Sequence, residues 1–217
     1  MMKRRLITCI LCCLGAAGCR NLRPAVAGSG VSKTEQRTVA DFDEIEIQGS
    51  GRIVVAIGPL STISITGDDN ILPLIQTSVR GRRLVIRELQ GTNPRVDIVL
   101  KLTAPNIQNV EVSGAASVDL TGMKNESLAV RISGVGDIRL AGQTEDLSFH
   151  LNGAGSLKAG ELTAKKVSAT INGTGSAEVH AVAELKATVS GVGSVTYTGD
   201  PKVESHINGL GSVSKKH

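Results

Sequence analysis

Ile132-Ser-Gly-Val-Gly-Asp-Ile138 and Leu151-Asn-Gly-Ala-Gly-Ser-Leu157 share one pattern: an apolar residue, Ser or Asn, Gly, any residue, Gly or Ala, Ser or Asp, and an apolar residue. The pattern recurs as Val112-Ser-Gly-Ala-Ala-Ser-Val118, Ile171-Asn-Gly-Thr-Gly-Ser-Ala177, Val189-Ser-Gly-Val-Gly-Ser-Val195 and Ile207-Asn-Gly-Leu-Gly-Ser-Val213. Its first glycines are Gly114, Gly134, Gly153, Gly173, Gly191 and Gly209, at steps of 20, 19, 20, 18 and 18 residues. Its second glycines are Gly136, Gly155, Gly175, Gly193 and Gly211, with Ala116 in the first copy. A weaker copy, Ile47-Gln-Gly-Ser-Gly-Arg-Ile53, stands 65 residues upstream. Self-similarity at such a period is the mark of a stacked repeat.

Apolar residues alternate with polar ones on both sides of each glycine pair, as in Leu128, Val130, Ile132 and then Ile138, Leu140. That is the period of a strand with one buried face. Each repeat therefore reads as two short strands with a glycine corner between them and a second corner marked by Gly122, Gly142, Gly160 or Gly199, with Ala181 in one repeat. Glycine suits corners through its access to positive φ. A unit this short cannot enclose its own apolar face, so consecutive units must stack, each adding about 4.8 Å along an axis. The fold class expected is all-β: a single-stranded, right-handed β-helix-like solenoid with rungs of 18–20 residues and an irregular, strand-rich N-terminal part.

Stacking has consequences on the outside. The Ser or Asn before each first glycine would form a column that hydrogen-bonds the corners or itself. Glu111 and Arg131, Asp119 and Arg139, and Lys158 and Glu178 would be lateral neighbours of opposite charge. Such pairs contribute ~0.2–1 kcal/mol each and speak for the register more than for stability. Lys215 and Lys216 at the last edge would discourage end-to-end growth.

Residues 38–110 alternate less cleanly and read as irregular first coils. Within them Asp68-Asp69-Asn70 followed by Ile71 to Ile75 suggests a capped helical turn despite Pro73. Phe42-Asp43-Glu44-Ile45, then Ile65-Thr-Gly-Asp-Asp-Asn-Ile-Leu72 with Leu84-Val85-Ile86, and finally the Ser-Gly-x-Gly-Ser repeats together resemble the bacterial family "Putative auto-transporter adhesin, head GIN domain" over nearly all of 38–217. The resemblance implies a right-handed β-helix-like fold in exported or lipid-anchored envelope proteins, and it supplies no catalytic residues.

The chain opens with Lys3, Arg4 and Arg5, an apolar run from Leu6, and Ala16-Ala17-Gly18 before Cys19. This is a signal peptide over 1–18, and Cys19 resembles a lipobox cysteine, the candidate lipidation site. Ala16 stands where a lipobox usually has Leu, so ordinary cleavage or an uncleaved tether is the alternative. Acyl chains would give a membrane anchor at about 0.8 kcal/mol per buried CH₂. By resemblance to enteric lipoproteins, Arg20 would permit sorting to the outer membrane, facing the periplasm or surface; secretion or a periplasmic location is the alternative. Residues 19–37 read as a lipid-anchored flexible linker whose seventeen residues from Arg20 to Gln36 reach at most ~55–60 Å, and 38–217 as the solenoid domain.

Composition excludes several functions. The chain is 41% hydrophobic but 1% aromatic, so its core is aliphatic. Setting aside the three leader charges leaves 21 basic residues against 20 acidic ones, which gives no electrostatic case for nucleic acid. All four cysteines, Cys9, Cys12, Cys13 and Cys19, lie in or at the end of the leader.

Gly134-Val135-Gly136 precedes a strand, not the helix that a phosphate loop needs. Calcium-binding repeats use a nine-residue period with acidic turns, whereas only Asp137 is acidic here. His150 and His206 fall in one column about 14 Å apart, too far to share a metal, and His180 points outward. Polysaccharide-active solenoid enzymes need long loops and clustered carboxylates; Asp68, Asp69, Glu145 and Asp146 are the best acidic pairs and read as capping or solvated turns. No enzyme activity, cofactor or metal is expected. A non-catalytic binding or adhesion-like module is the leading expectation, with a glycan or an envelope protein as ligand and exposed Thr170, Thr188 and Thr196 in its favour. A structural or accessory envelope scaffold is the alternative. Oligomeric state is not written in the sequence.

Overall fold

The computed structural model describes residues 24–216. The leader and Cys19 lie outside the described residues. The elements in chain order are β1 (Val26–Ala27), β2 (Ser32–Arg37), β3 (Glu44–Gln48), β4 (Ser50–Ile57), β5 (Thr62–Asp68), a 3-10 turn at Leu72–Leu74, β6 (Ile75–Arg80), β7 (Arg83–Glu88), β8 (Thr92–Asn93) and β9 (Val99–Ala104). The chain continues through β10 (Asn109–Val112), β11 (Ala115–Ile132), β12 (Val135–Leu151), β13 (Ala154–Ile171), β14 (Thr174–Val189), β15 (Val192–Thr198), β16 (Lys202–Ile207) and β17 (Leu210–Lys215). Together they build the expected β-solenoid, about 5 turns long.

Each glycine-cornered unit pairs in parallel with the next. Val130 lies beside Phe149, Phe149 beside Ala169, and Ala169 beside Ala187. These inward residues are buried, and the large Phe149 is accommodated by the small Ala169 in the adjoining rung. Aliphatic columns of this kind are where stability resides, since burying one Val, Leu or Ile side chain contributes about 1.5–3 kcal/mol.

The rungs are not simply two-sided. In β11 the inward positions run Val118, Leu120, then Met123, then Leu128, Val130, Ile132, so the alternation changes phase twice. A short third side thus joins the two main faces, with shifts of register after Leu120 in β11 and after Arg139 in β12. Gly122 turns the first of these corners at φ 78°, and Gly199 turns its counterpart near the end at φ 94°.

The glycines of the repeated signature are needed for a different reason from the one expected. None of the first glycines has positive φ. Their backbones instead lie directly over one another: the amide of Val135 donates to Gly114 O at 2.9 Å, Ala154 to Gly134 O at 3.0 Å, and Thr174 to Gly153 O at 2.9 Å. A Cβ on Gly134, Gly153, Gly173, Gly191 or Gly209 would overlap the carbonyl oxygen of the glycine one rung below. Gly155, Gly175, Gly193 and Gly211 repeat the same approach. The preceding Ser/Asn column is held mainly through its amides, with one side-chain rung, Asn172 Nδ2 to Asn152 Oδ1 at 3.0 Å, and Ser113 Oγ donating to Ile47 O at 3.2 Å.

The weak upstream copy is a true rung. β10 lies on β3 and β11 on β4, with Ala115 donating to Gly49 O at 3.0 Å. Residues 58–108 are an excursion that builds the N-terminal end. β7 and β9 add one more parallel layer beneath β3 and β4, and that layer is closed by antiparallel β6 on one side and antiparallel β5 and β2 on the other.

Two expectations need correction here. The linker is not flexible to residue 37: Val26–Ala27 pairs with β8, and Ser32–Arg37 forms six antiparallel pairs with β5. The turn after Asp68-Asp69-Asn70 is present as a 3-10 turn, but no side chain caps it. Those three residues clasp the N-terminal segment instead. Asp68 accepts from the amides of Gly30 (2.7 Å), Arg95 (2.9 Å) and Val96 (3.0 Å). Ser29 Oγ donates to Asp69 at 2.5 Å, while Asn70 takes the Ser29 amide and donates to Ala27 O. Sequence patterning missed this because the segment has no apolar alternation; its partners are backbone amides.

Candidate functional site

On the face formed by β10 and by the second halves of β11 to β14, ending at β16, three columns of side chains point outward. The first is Ser127, Asp146, Lys166, Glu184, Lys202; the second is Ala129, Ser148, Ser168, Lys186, Glu204; the third is Arg131, His150, Thr170, Thr188, His206. The middle column is small for three rungs and is flanked by longer side chains. It therefore forms the floor of a trough along the solenoid axis, part of a groove of about 580 Å³ that runs from Gln108 to Lys202 and Glu204. A second cavity of about 270 Å³, lined by Asn109, Glu111, Arg131 and His150, shares Ala129 and Ser148 with it.

The groove is balanced in charge. Asp146, Glu184 and Glu204 face Lys166, Lys186 and Lys202. Its C-terminal end is closed by the Lys186–Glu204 ion pair at 3.5 Å, and His206 Nε2 lies 3.3 Å from the same carboxylate. The hydrogen bond with His206 and the ammonium of Lys186 hold the Glu204 carboxyl below its ordinary range. The trough runs over several rungs spaced about 4.8 Å apart, so it suits an extended ligand lying along the axis, not a compact one.

Thr170 and Thr188 border the trough, whereas Thr196 lies on β15, outside that face. His150 and His206 share one column three rungs apart, and His180 Nδ1 lies 2.7 Å from Thr198 Oγ1. Among the described residues, no three His, Cys, Asp or Glu side chains gather as a metal site. Asp146 lines the groove, while Glu145 pairs with Lys165 at 3.1 Å on the short third side. The small middle column is written in the sequence as Ala129, Ser148 and Ser168 at equal places in the repeat, a signal carried by size and register and not by titratable groups.

The three expected charge pairs are lateral neighbours in register, and in two of them side chains pair elsewhere. Asp119 takes Arg52 at 2.7 Å, Arg139 takes Glu161 at 2.6 Å, and Glu178 takes Lys216 at 2.5 Å. Asp119 and Arg139 find their counter-ions on an adjacent rung, while Lys216 reaches Glu178 from two rungs away.

Comparison with known proteins fits this architecture. No curated protein matches the sequence. A solved structure named a putative adhesin, from Bacteroides fragilis, superposes with a TM-score of 0.71 at 24% identity, covering 88% of this chain and 100% of its own. Another, named a putative lipid binding protein, from Parabacteroides distasonis, gives 0.53 at 21% identity over 89% of this chain and 100% of its own. These likenesses establish a shared fold. With its stacked glycine corners, its closed N-terminal end and a family match over residues 41–201, the chain belongs to the family "Putative auto-transporter adhesin, head GIN domain".

Proposed function

We propose that the protein is an exported envelope module that binds an extended, uncharged or zwitterionic glycan in the trough over Ala129, Ser148 and Ser168, without catalysing a reaction. The observation that carries this reading is the trough itself: a floor of small and hydroxyl side chains over three rungs, in a groove whose lining carries as many carboxylates as ammonium groups. Hydroxyls donate and accept, which matches a sugar polymer, and a groove of balanced charge gives a polyanion no net attraction. The adhesin-like family to which the chain belongs supports a binding role.

The anchor in this reading is Cys19. Because strand pairing starts at Val26, only the six residues from Arg20 to Ala25 would separate the lipid from the fold, a reach of at most ~20 Å. The module would then sit close to the membrane, in place of the longer reach expected from a flexible linker. Palmitate labelling of the wild type, absent from Cys19→Ser, tests the anchor.

A glycan array tests the site. Binding to neutral or zwitterionic glycans, abolished by Ser148→Arg with Ser168→Arg at unchanged thermal stability, is the expected result. Persistent silence of the wild-type protein, or binding indifferent to the filled trough, would overturn it; silence would favour a structural or accessory envelope role.

A further inference from the structure

We propose that the outer face of the β6–β7 hairpin, with β3 beside it, is an oxyanion site that takes a phosphate group. The register of the three strands fixes what stands there. Across the hairpin Arg80 faces Arg83, Ser78 faces Val85 and Gln76 faces Arg87. On the other side of β7, Glu46 neighbours Val85 and Gln48 neighbours Arg87. Leu84 and Ile86, the alternate positions of β7, are buried, so this whole set points to solvent. Its middle row is short: Ser78 and Val85 form a floor, and Arg80, Arg83 and Arg87 stand around it, enclosing a cavity of about 250 Å³. Arg83 also lines the cavity of about 270 Å³ that adjoins the trough, so the site is the N-terminal limit of the same face.

Its charge is not balanced as that of the trough is. Three guanidinium groups and one carboxylate, Glu46, line the cavity. Glu46 is already engaged, one oxygen accepting from Gln48 Nε2 and the other lying 3.4 Å from Arg83 Nη1. Arg83 is held from the β3 side as well, donating through Nε to Glu44 at 2.7 Å. Arg80 and Arg87 have no such offset. Among the described residues neither has a carboxylate within ion-pair distance, and Arg87 donates through Nε to the neutral Gln48 Oε1 at 2.8 Å. Arg80 moreover stands directly across from Arg83, a like-charge pair that costs stability, and as an exposed side chain it gains nothing from packing. An anion between the arginines removes that cost. Guanidinium forks bind oxyanions with two parallel hydrogen bonds. Arg80 and Arg87 rise from opposite corners of the hairpin face with the Ser78 hydroxyl between them, so donors arrive from several directions. A tetrahedral phosphate presents oxygens to all of them, whereas a planar carboxylate has two. The cavity is also smaller than the sites of drug-sized ligands, which suits one group of a larger molecule or a free ion. Two sources present that group: a phospholipid headgroup, since the hairpin lies at the end where the chain enters the fold, and a soluble phosphate. The site stands whatever the trough binds.

The test is titration of the ¹⁵N-labelled full chain in maltoside micelles with inorganic phosphate, following the side-chain Nε–H signals of Arg80, Arg83 and Arg87. Saturable shifts are expected, with acetate at equal ionic strength about 10-fold weaker or more. Arg80→Gln with Arg87→Gln lowers phosphate affinity on the order of 100-fold, while Arg52→Gln, at an arginine paired with Asp119, leaves it unchanged. Arg87→Lys keeps the charge and removes the fork, and lowers affinity about 10-fold; this single variant carries the test where the double one fails to fold. Phosphatidylglycerol added to the micelles identifies the source: displacement of bound phosphate assigns the site to a headgroup, and no displacement assigns it to soluble phosphate. Shifts that rise without saturation, that acetate reproduces at the same concentration, or that survive the arginine variants unchanged overturn the proposal.

Discussion

The two ends of this solenoid solve one problem in opposite ways. At the N-terminal end the ladder turns antiparallel, Ile63, Ile65, Ile71 and Leu72 bury themselves completely, and the Asp68 carboxylate ties down the segment around Gly30. In the last described rung the ladder is still parallel, and Val203 and Ile207, at positions buried in every earlier rung, are partly exposed. A repeat therefore supplies stability only where something follows it. The closed end requires a non-repeating sequence, whereas the last described rung keeps the repeat.

The contrast can be broken most severely in the middle. Gly173→Val places a side chain where Gly153 O lies, and neither backbone can move without breaking the ladder. A loss of about 3 kcal/mol or more, or no folded protein, is expected from denaturant titration; Gly81→Val is a poor control because φ there is positive, so Gly91→Val, with open space around it, serves instead. Next come paired substitutions at one register position. Leu185→Ala should cost about 2–5 kcal/mol as a buried deletion, and Val203→Ala, at a partly exposed position one rung later, less than about 1 kcal/mol.

Acid probes the closed end through Asp68. Burial of Asp68 raises its carboxyl pKa, but the amides of Val96, Gly30 and Arg95 outweigh this and hold the value below the ordinary one. A group with a lowered folded pKa stabilises above its unfolded value, about 3.9, and that contribution is lost as pH falls through the lower folded value. Exchange of the Gly30, Arg95 and Val96 amides should therefore accelerate below about pH 4, ahead of the glycine corners, and Asp68→Asn should remove the pH step. The smallest effect belongs to the surface: Arg139→Ala or Glu161→Ala, although their ion pair is 2.6 Å long, should shift stability by less than about 1 kcal/mol.

The same contrast explains what was legible in the sequence. Stacking, rung length and the glycine corners could be read directly because Gly134, Gly153 and Gly173 recur at nearly fixed steps. The purpose of those glycines could not, since clearance between backbones is a property of two rungs, not of one. β2 was hidden because Ser32–Arg37 is polar throughout and is held by edge pairing and by a carboxylate 38 residues away from Gly30. The Lys215 and Lys216 charges were visible, but their partners Asp200 and Glu178 are brought close only by the coil. The trough was latent in three small residues whose alignment depends on register.

Register is also where the account is most exposed. Spin labels at positions 150 and 206, read by dipolar broadening in a chain whose four cysteines, Cys9, Cys12, Cys13 and Cys19, are replaced by Ser, measure three rungs of stacking directly. In-register coils predict a separation of about 14 Å, rising in even steps from the 150/170 pair to the 150/206 pair. A broad distribution far beyond that distance, or the same distance for both pairs, would contradict it.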